Sequence, residues 1–409
     1  MDVIHPKCAG LDVHKDSVVA CARIGTGAKV TREVKTFGTT TRELLALSDW
    51  LTAHGCTHVA MEATGVYWKP VWHVLAGSFE LVLANAMHIR NIPGRKTDVN
   101  DATWIADLLA HGLIRSSFVP EPALQELRDL TRTRTQLVRE KARHTLRIQK
   151  TLELANLKLT SVLADILGVT GRRLLDALVA GESDPERLAD LAHGRRLKAS
   201  RAEFVEALHG RITPHHRFIL GLHLRQIDAL DTAVRELQAR LEDALTPFRP
   251  TLARLTTIRG IGETAAHILV AEIGIDMSHF PTAGHLISWA GLCPRLHESA
   301  GKRRSTRIRP GNRWLKTALV QAAWGAVRHH QGGYLRAQFL RLRSRRGPKK
   351  AIVAVAASIL TAAYYVLRDG TEYRDLGADY FDRRDKAKLA KRLIARLHDL
   401  GLNVQVRAA

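Results

Sequence analysis

Strand and helix signals alternate along the first 115 positions, and the first three runs of alternating apolar and polar residues lie too close together for helical crossovers. Residues 8–14, 17–24 and 30–37 read as strands, separated by turns at His14-Lys15-Asp16 and Gly25-Thr26-Gly27. Spacing this tight joins strands as antiparallel hairpins. From Thr40 the period changes: Leu44, Leu45, Leu47 and Leu51 recur as on one face of a helix. Thr40 and Glu43 have the spacing of a capping box. Residues 57–62 read as a fourth strand, 67–76 as a helix and 79–84 as a fifth strand. A last helix over 99–111 turns Ile105, Leu108 and Leu109 inward and ends at Gly112.

The order βββαβαβα, three antiparallel strands and then parallel crossovers, predicts an α/β domain of ribonuclease-H-like type over residues 1–118. Beyond Pro120 the strand signals stop. Leu127, Thr131, Val138, Thr145, Ile148 and Leu152 follow three-four spacing, which predicts a long helix with a weak coiled-coil seam. Leu220, Leu224, Ile227, Leu230, Val234, Leu237 and Leu241 repeat the pattern in a second long helix. The stretch 181–210 reads as helical and polar, so residues 119–250 are expected to form an antiparallel helical, coiled-coil arm. Pro247 and Pro250 mark the next boundary. A mostly α-helical domain is expected over 251–375, and a charged tail over 376–409.

Charge narrows the partner. The 409 residues carry 62 Lys+Arg against 40 Asp+Glu, a formal net charge of +22, which predicts a polyanion, nucleic acid rather than a membrane surface. The one apolar run of near-spanning length, 351–367, is interrupted by Ser358 and Thr361 and reads as a core helix. Cys8, Cys21, Cys56 and Cys293 are scattered and form no C-x-x-C pair, which argues against a zinc ribbon or disulfide framework. Met1-Asp2-Val3-Ile4-His5-Pro6 lacks the apolar run of a signal peptide, so a cytoplasmic protein is expected.

Against this positive background four carboxylates stand out. Asp12 lies within an apolar strand, a costly position unless the acid is paired or metal-bound. Glu62 ends the strand expected beside it, and Asp98 and Asp101, three apart, share a face at a helix start. Any one alone is more simply a cap or a solvated acid; together they suit a hard cation such as Mg2+, with Mn2+ an alternative. Asp16 and Asp107 read as an ordinary turn acid and helix-surface acid.

Basic residues mark nucleic-acid contacts. Arg132, Arg134, Arg139 and Arg143 lie on the first long helix, and Lys302, Arg303, Arg304, Arg307, Arg309 and Arg313 in a run from Ser299 to Lys316 that holds no acid. Gly260-Ile-Gly262 before a helix resembles half of a helix-hairpin-helix element, whose glycines let backbone N–H groups reach a phosphate. A plain packing joint explains it equally well. A serine hydroxyl among guanidiniums can attack a phosphodiester, yet composition does not choose between Ser299 and Ser305.

Gly10-Leu-Asp12-Val-His-Lys, Met61-Glu62-Ala-Thr-Gly and Lys96-Thr-Asp98-Val-Asn-Asp101-Ala occur in order with Gly260-Ile-Gly262, Gly291-Leu-Cys-Pro-Arg, Ser299, Pro310-Gly-Asn-Arg and Tyr373-Arg-Asp-Leu-Gly-Ala-Asp-Tyr-Phe381. Together they resemble the bacterial insertion-sequence transposases that pair a DEDD, RuvC-like domain with a C-terminal serine-bearing domain, the bridge-RNA-guided recombinases. The resemblance implies that Asp12, Glu62, Asp98 and Asp101 hold Mg2+ and that Ser299 forms a transient phosphoserine link to DNA. It further implies target and donor DNA, a structured noncoding guide RNA, dimers or tetramers, and a bacterial, nucleoid-associated location. Ala300 departs from the glycine that often follows the serine in that family. The competing expectations are a metal-dependent Holliday-junction-type nuclease with no covalent serine step, and a non-enzymatic nucleic-acid scaffold.

Overall fold

Strands β1 (Lys7–Val13), β2 (Ser17–Ile24) and β3 (Thr31–Gly38) pair antiparallel, and β4 (His58–Glu62) and β5 (Glu80–Ala84) extend the sheet in parallel from the other side of β1. The order across the sheet is β3-β2-β1-β4-β5. In this computed structural model the described residues are 2–26, 29–63, 65–85, 89, 101–192, 197–294, 297–299, 301–305, 307–329, 332–384 and 386–404. The chain divides into two compact units, Met1–Val119 and Pro120–Ala409.

The first unit is a mixed α/β domain. Its edge strand β3 is exposed over residues 31–36, where Arg32, Glu33 and Lys35 discourage further strand pairing. Helices α1 (Thr41–Ala53) and α2 (Trp68–Leu75) cover the face formed by Ala9, Leu11, Val13, Val59 and Met61. Helix α3 (Asp101–Ala110) covers the opposite face through Ile105, Leu108 and Leu109 against Cys8, Ala60 and Ala84. Two local expectations change. Leu45 is 53% exposed and lies off the buried face of α1. Thr40 caps α1 by accepting from the Glu43 N–H at 3.4 Å, but the Glu43 carboxylate accepts from Gly38 instead of closing a capping box.

In the second unit, α4 (Pro122–Leu154) is followed by the shorter helices α5 (Leu159–Val162), α6 (Val169–Ala180), α7 (Pro185–Asp190) and α8 (Arg201–Leu208), and then by α9 (Pro214–Leu245). Lys141 with Asp231, Arg134 with Gln238 and His144 with His223 show that α4 and α9 run antiparallel. Leu127, Thr131, Ile148 and Leu152 of the expected seam are buried, whereas Val138 is 43% exposed. The middle of the helix pair is held by polar pairs; its far end is a true core. There Leu174, Leu175, Leu178, Leu188, Phe204 and Leu208 pack on Ile148, Leu152, Leu220 and Leu224, and through Leu188, Phe204 and Leu208 the stretch 181–210, read as polar, supplies buried apolar side chains.

The rest of the unit comprises α10 (Arg249–Thr256), α11 (Glu263–Ile273), α12 (Ala283–Trp289), a hairpin of β6 (His297–Ser299) and β7 (Lys302–Ser305), α13 (Arg313–Arg328), α14 (Tyr334–Arg346), α15 (Pro348–Asp369), α16 (Tyr380–Arg384) and α17 (Lys386–Asp399). Among the described residues α15 alone is long and apolar enough to cross a membrane. It buries Ile352, Val355, Ile359, Leu360 and Ala363 among neighbouring helices, including α13 and α14, as a core helix does.

Candidate active site and nucleic-acid interface

Register brings two of the predicted acids together. The parallel β1/β4 ladder runs from Cys8↔His58 to Leu11↔Met61, so Asp12 and Glu62 occupy the next rung. Side chains alternate along a strand, and Cys8 and Ala60 face α3, so Asp12 and Glu62 belong to that same face. Asp12 is partly buried, and its Oδ2 lies 3.1 Å from Nε2 of His14.

Asp101 is brought to this end of the sheet by helix direction. The Cys8 thiol meets the carbonyl of Ala106 at 3.5 Å, and Gly10 lies under Ala102, so α3 runs antiparallel to β1 with its first residue toward Asp12. Gly10 is what admits the helix so closely: a Cβ there would stand 2.2 Å from the Ala102 oxygen and 2.4 Å from the Ala106 nitrogen. Asp98 lies outside the described residues. Among the described residues no group of three or more His, Cys, Asp or Glu is close enough to hold a metal ion. Asp12, Glu62 and Asp101 offer hard oxygen donors, the chemistry that Mg2+ or Mn2+ requires.

Asp107 is more than a surface acid. Its Oδ1 accepts from Arg23 at 2.8 Å and Arg32 at 2.9 Å, and this neutralises the otherwise buried Arg23 guanidinium. Burial pushes the Cys8 thiol up to about 12 and the Cys56 thiol up to about 11, leaving both protonated and unreactive at neutral pH.

Ser299 ends β6 and pairs with Lys302 of β7, and Gly301 has φ +72°. Nothing in the local sequence alternates as a strand should, and the hairpin is instead secured at its base. Gly291, at φ +72°, lies against Gly311, and a Cβ on either would come within 2.9 Å of backbone atoms of the opposite leg. A bridge between Pro294 and Ile308 and the Arg309 N–H donating to Cys293 complete the base. Ser305, the other candidate hydroxyl, accepts from the Arg307 N–H and so shapes the turn after β7. The side chains of Ser299, Arg303 and Arg304 lie outside the described part of the structure. Lys302, Arg307, Arg309 and Arg313 are exposed, as a phosphate-binding run requires.

The basic residues of α4 divide by their partners. Arg132 holds both carboxylate oxygens of Glu272, a residue with no solvent exposure. Arg128 donates to the carbonyls of Ala271 and Glu272, and burial pushes its pKa down to about 10 against the attraction of that carboxylate. Asn312 joins them: its amide donates to Glu272 while its Oδ1 caps α13 by accepting from Trp314 and Leu315. Arg134 donates to Gln238, Arg139 lies over the Trp314 ring and Arg143 is exposed. Gly260, at φ +90°, abuts the backbone of α13 at Ala322, whereas Gly262 stands open at the start of α11.

A family model for DEDD-type IS110 transposases matches residues 9–156, and the model described as transposase IS116/IS110/IS902 family matches residues 252–339. The chain belongs to the IS110 family of transposases. The first segment of this IS110 member contains the four acids, and the second contains Ser299, Gly260 and Glu272. The chain is similar to the uncharacterized 43.6 kDa protein of insertion element IS110 from Streptomyces coelicolor, with 33% identity over 35% of this chain and 36% of that one. It is also similar to the y4rJ protein of Sinorhizobium fredii, which carries a provisional transposase name, with 25% identity over 62% and 60% of the two chains. The pilin gene-inverting protein of Moraxella bovis is 38% identical over 29% of this chain and 37% of its own length. The matches thus span between about a third and three fifths of these relatives.

Sequence reasoning missed Glu272, Asn312 and Trp314 as a group. The one available signal was an acid inside the apolar run Ala265-Ala-His-Ile-Leu-Val-Ala-Glu-Ile273, where an unpaired charge would be costly.

Proposed function

We propose that this chain is the DNA transposase of an insertion sequence, cutting and rejoining DNA strands with a divalent cation and a serine nucleophile. The observation that carries the reading is the rung shared by Asp12 and Glu62, on the face covered by α3 and at the end toward which Asp101 points. The sheet order β3-β2-β1-β4-β5 supports a ribonuclease-H-like, RuvC-like domain as the carrier of these acids. Asp12, Glu62, Asp98 and Asp101 would hold Mg2+, with Mn2+ an alternative, which when bound supplies charge neutralisation at a phosphate.

In this reading the Ser299 hydroxyl oxygen attacks the scissile phosphorus. A serine–phosphate ester forms, the bond to one sugar oxygen breaks, and that oxygen leaves as a hydroxyl after taking a proton. Attack by the hydroxyl of a second strand reverses the exchange and frees the serine. The exposed Lys302, Arg307, Arg309 and Arg313 would stabilise the extra negative charge on the phosphorane. Target and donor DNA, pairing with a structured noncoding RNA, and a dimer or tetramer in the bacterial cytoplasm complete the proposal. The formal charge of +22 supports polyanion partners of both kinds.

The deciding experiment traps protein bound covalently to DNA after denaturation, with Ser299→Ala and Asp12→Ala as companions. A covalent adduct in the parent protein that is lost in Ser299→Ala supports the serine step. Cleavage with no adduct, undiminished in Ser299→Ala, would leave the metal-dependent Holliday-junction-type nuclease.

A further inference from the structure

Trp314, the second residue of α13, is surrounded by guanidiniums. Arg139 of α4 lies 5.4 Å from the ring centroid, Arg313 5.3 Å and Arg132 5.8 Å. The ring borders a cavity of about 170 Å³ between α4, α11 and α13, lined also by Arg134, Thr264, Thr317 and Gln321. Among the described residues one acid, Glu272, lines this cavity, and both of its oxygens are taken by Arg132. Arg134 is held by the neutral Gln238, so the cavity keeps an excess of positive charge around a flat aromatic surface.

A membrane headgroup or acidic peptide would use the charge and leave the ring and the amide of Gln321 without purpose. An unpaired nucleotide uses all three. Its base offers a π-face for the ring and edge groups for an amide and hydroxyls, and its phosphates answer the guanidiniums. A duplex, with its bases stacked and paired, presents no free base to a cavity this small.

We propose that this cavity binds one unpaired nucleotide of a single strand, its base stacked on Trp314 and its phosphates held by Arg139 and Arg313. The proposal rests on the reading of this chain as a nucleic-acid enzyme and names the strand state that this surface takes. Arg139 lies over the ring; an entering base takes over that contact and leaves the guanidinium beside the phosphate. Asn312 and Arg132 tie the neighbouring Glu272 to both α13 and α4.

The test measures binding of the full-length protein to fluorescent single-stranded oligodeoxynucleotide, single-stranded oligoribonucleotide and blunt DNA duplex by anisotropy. Trp314→Ala is expected to weaken single-strand binding about tenfold, within the range of lost base–aromatic stacking, and to leave duplex binding within about twofold. Trp314→Phe keeps the stacking face and is expected to restore most of the affinity, which separates stacking from misfolding. Arg139→Gln with Arg313→Gln should reduce the salt dependence of single-strand binding by about two phosphate contacts. The DNA and RNA arms identify which strand supplies the nucleotide. Equal losses for single strand and duplex in Trp314→Ala, or no loss in either, would overturn the cavity while leaving the nucleic-acid reading in place. Failure of the parent protein to bind any of the three would overturn both.

Discussion

Arg132 grips the fully buried Glu272 through two hydrogen bonds of 2.7 Å, one to each carboxylate oxygen. That pair, with Arg128 and Asn312, binds the long helix α4 to α11 and α13. Removing the carboxylate leaves the Arg132 guanidinium and the Asn312 amide without their acceptor. Glu272→Ala is expected to destabilise the second unit by about 3–5 kcal/mol, the cost of an uncompensated buried charge. Urea unfolding followed by circular dichroism measures it; a loss below about 1 kcal/mol would show the network to be incidental.

Gly10 and Ala102 make the second prediction. With 2.2 Å between a Cβ at Gly10 and the Ala102 oxygen, Gly10→Ala must push α3 away from β1. Overpacking of this kind costs about 1–3 kcal/mol. It also shifts Asp101 relative to Asp12 and Glu62, so strand cleavage should fall at least tenfold while DNA affinity changes little. Titrating Mg2+ in the cleavage assay should show a higher requirement in the variant.

At the base of the serine hairpin, Gly291→Ala and Gly311→Ala are each expected to reduce strand exchange strongly and nucleic-acid binding weakly. The added methyl meets the opposite leg, and Gly291 also occupies the left-handed region, where an L side chain costs about 1–2 kcal/mol. Thermal melting run in parallel separates a displaced hairpin from a failed fold. Normal exchange in a stably folded Gly311→Ala would remove the base of the hairpin from the mechanism.

Acid should loosen the helical region. Burial holds both His223 and His267 below the ordinary histidine value of 6.5, with His144 and Arg147 adding to the effect at His223 and Arg134 at His267. The unfolded chain therefore takes up protons below about pH 6.5 that the folded chain does not, and stability rises with pH through that window. The melting temperature is expected to drop between pH 7.5 and pH 5, and His223→Gln with His267→Gln should flatten the drop. An unchanged slope in the double variant would assign acid sensitivity to other groups.

Much of the first unit was legible because its signals are local. Alternation from Cys8 to Phe37 and the turn residues between gave three strands within a residue or two of their observed ends, and Leu44, Leu47 and Leu51 marked the buried face of α1. The acids were legible as residue types out of place, Asp12 above all. The hairpin bearing Ser299 was not, because Ser-Ala-Gly-Lys-Arg-Arg has no apolar alternation and its base depends on Gly291 and Gly311, twenty positions apart. The role of Glu272 was not legible either, since its partners lie 140 residues earlier and 40 later.

By itself the sequence determined the elements of the first unit and the two long helices, the excess of positive charge and the acids that have no ordinary reason to sit in a strand. Those properties follow from side-chain period, composition and the cost of burying charge, all of which are written along the chain. Tertiary structure alone decided which groups meet. The β1/β4 register made Asp12 and Glu62 neighbours, the missing side chain at Gly10 let α3 descend onto the sheet, and α4 lying across α11 and α13 gathered arginines around Trp314 and Glu272. Each is a contact between segments far apart in sequence, set by shape and packing rather than by any local preference.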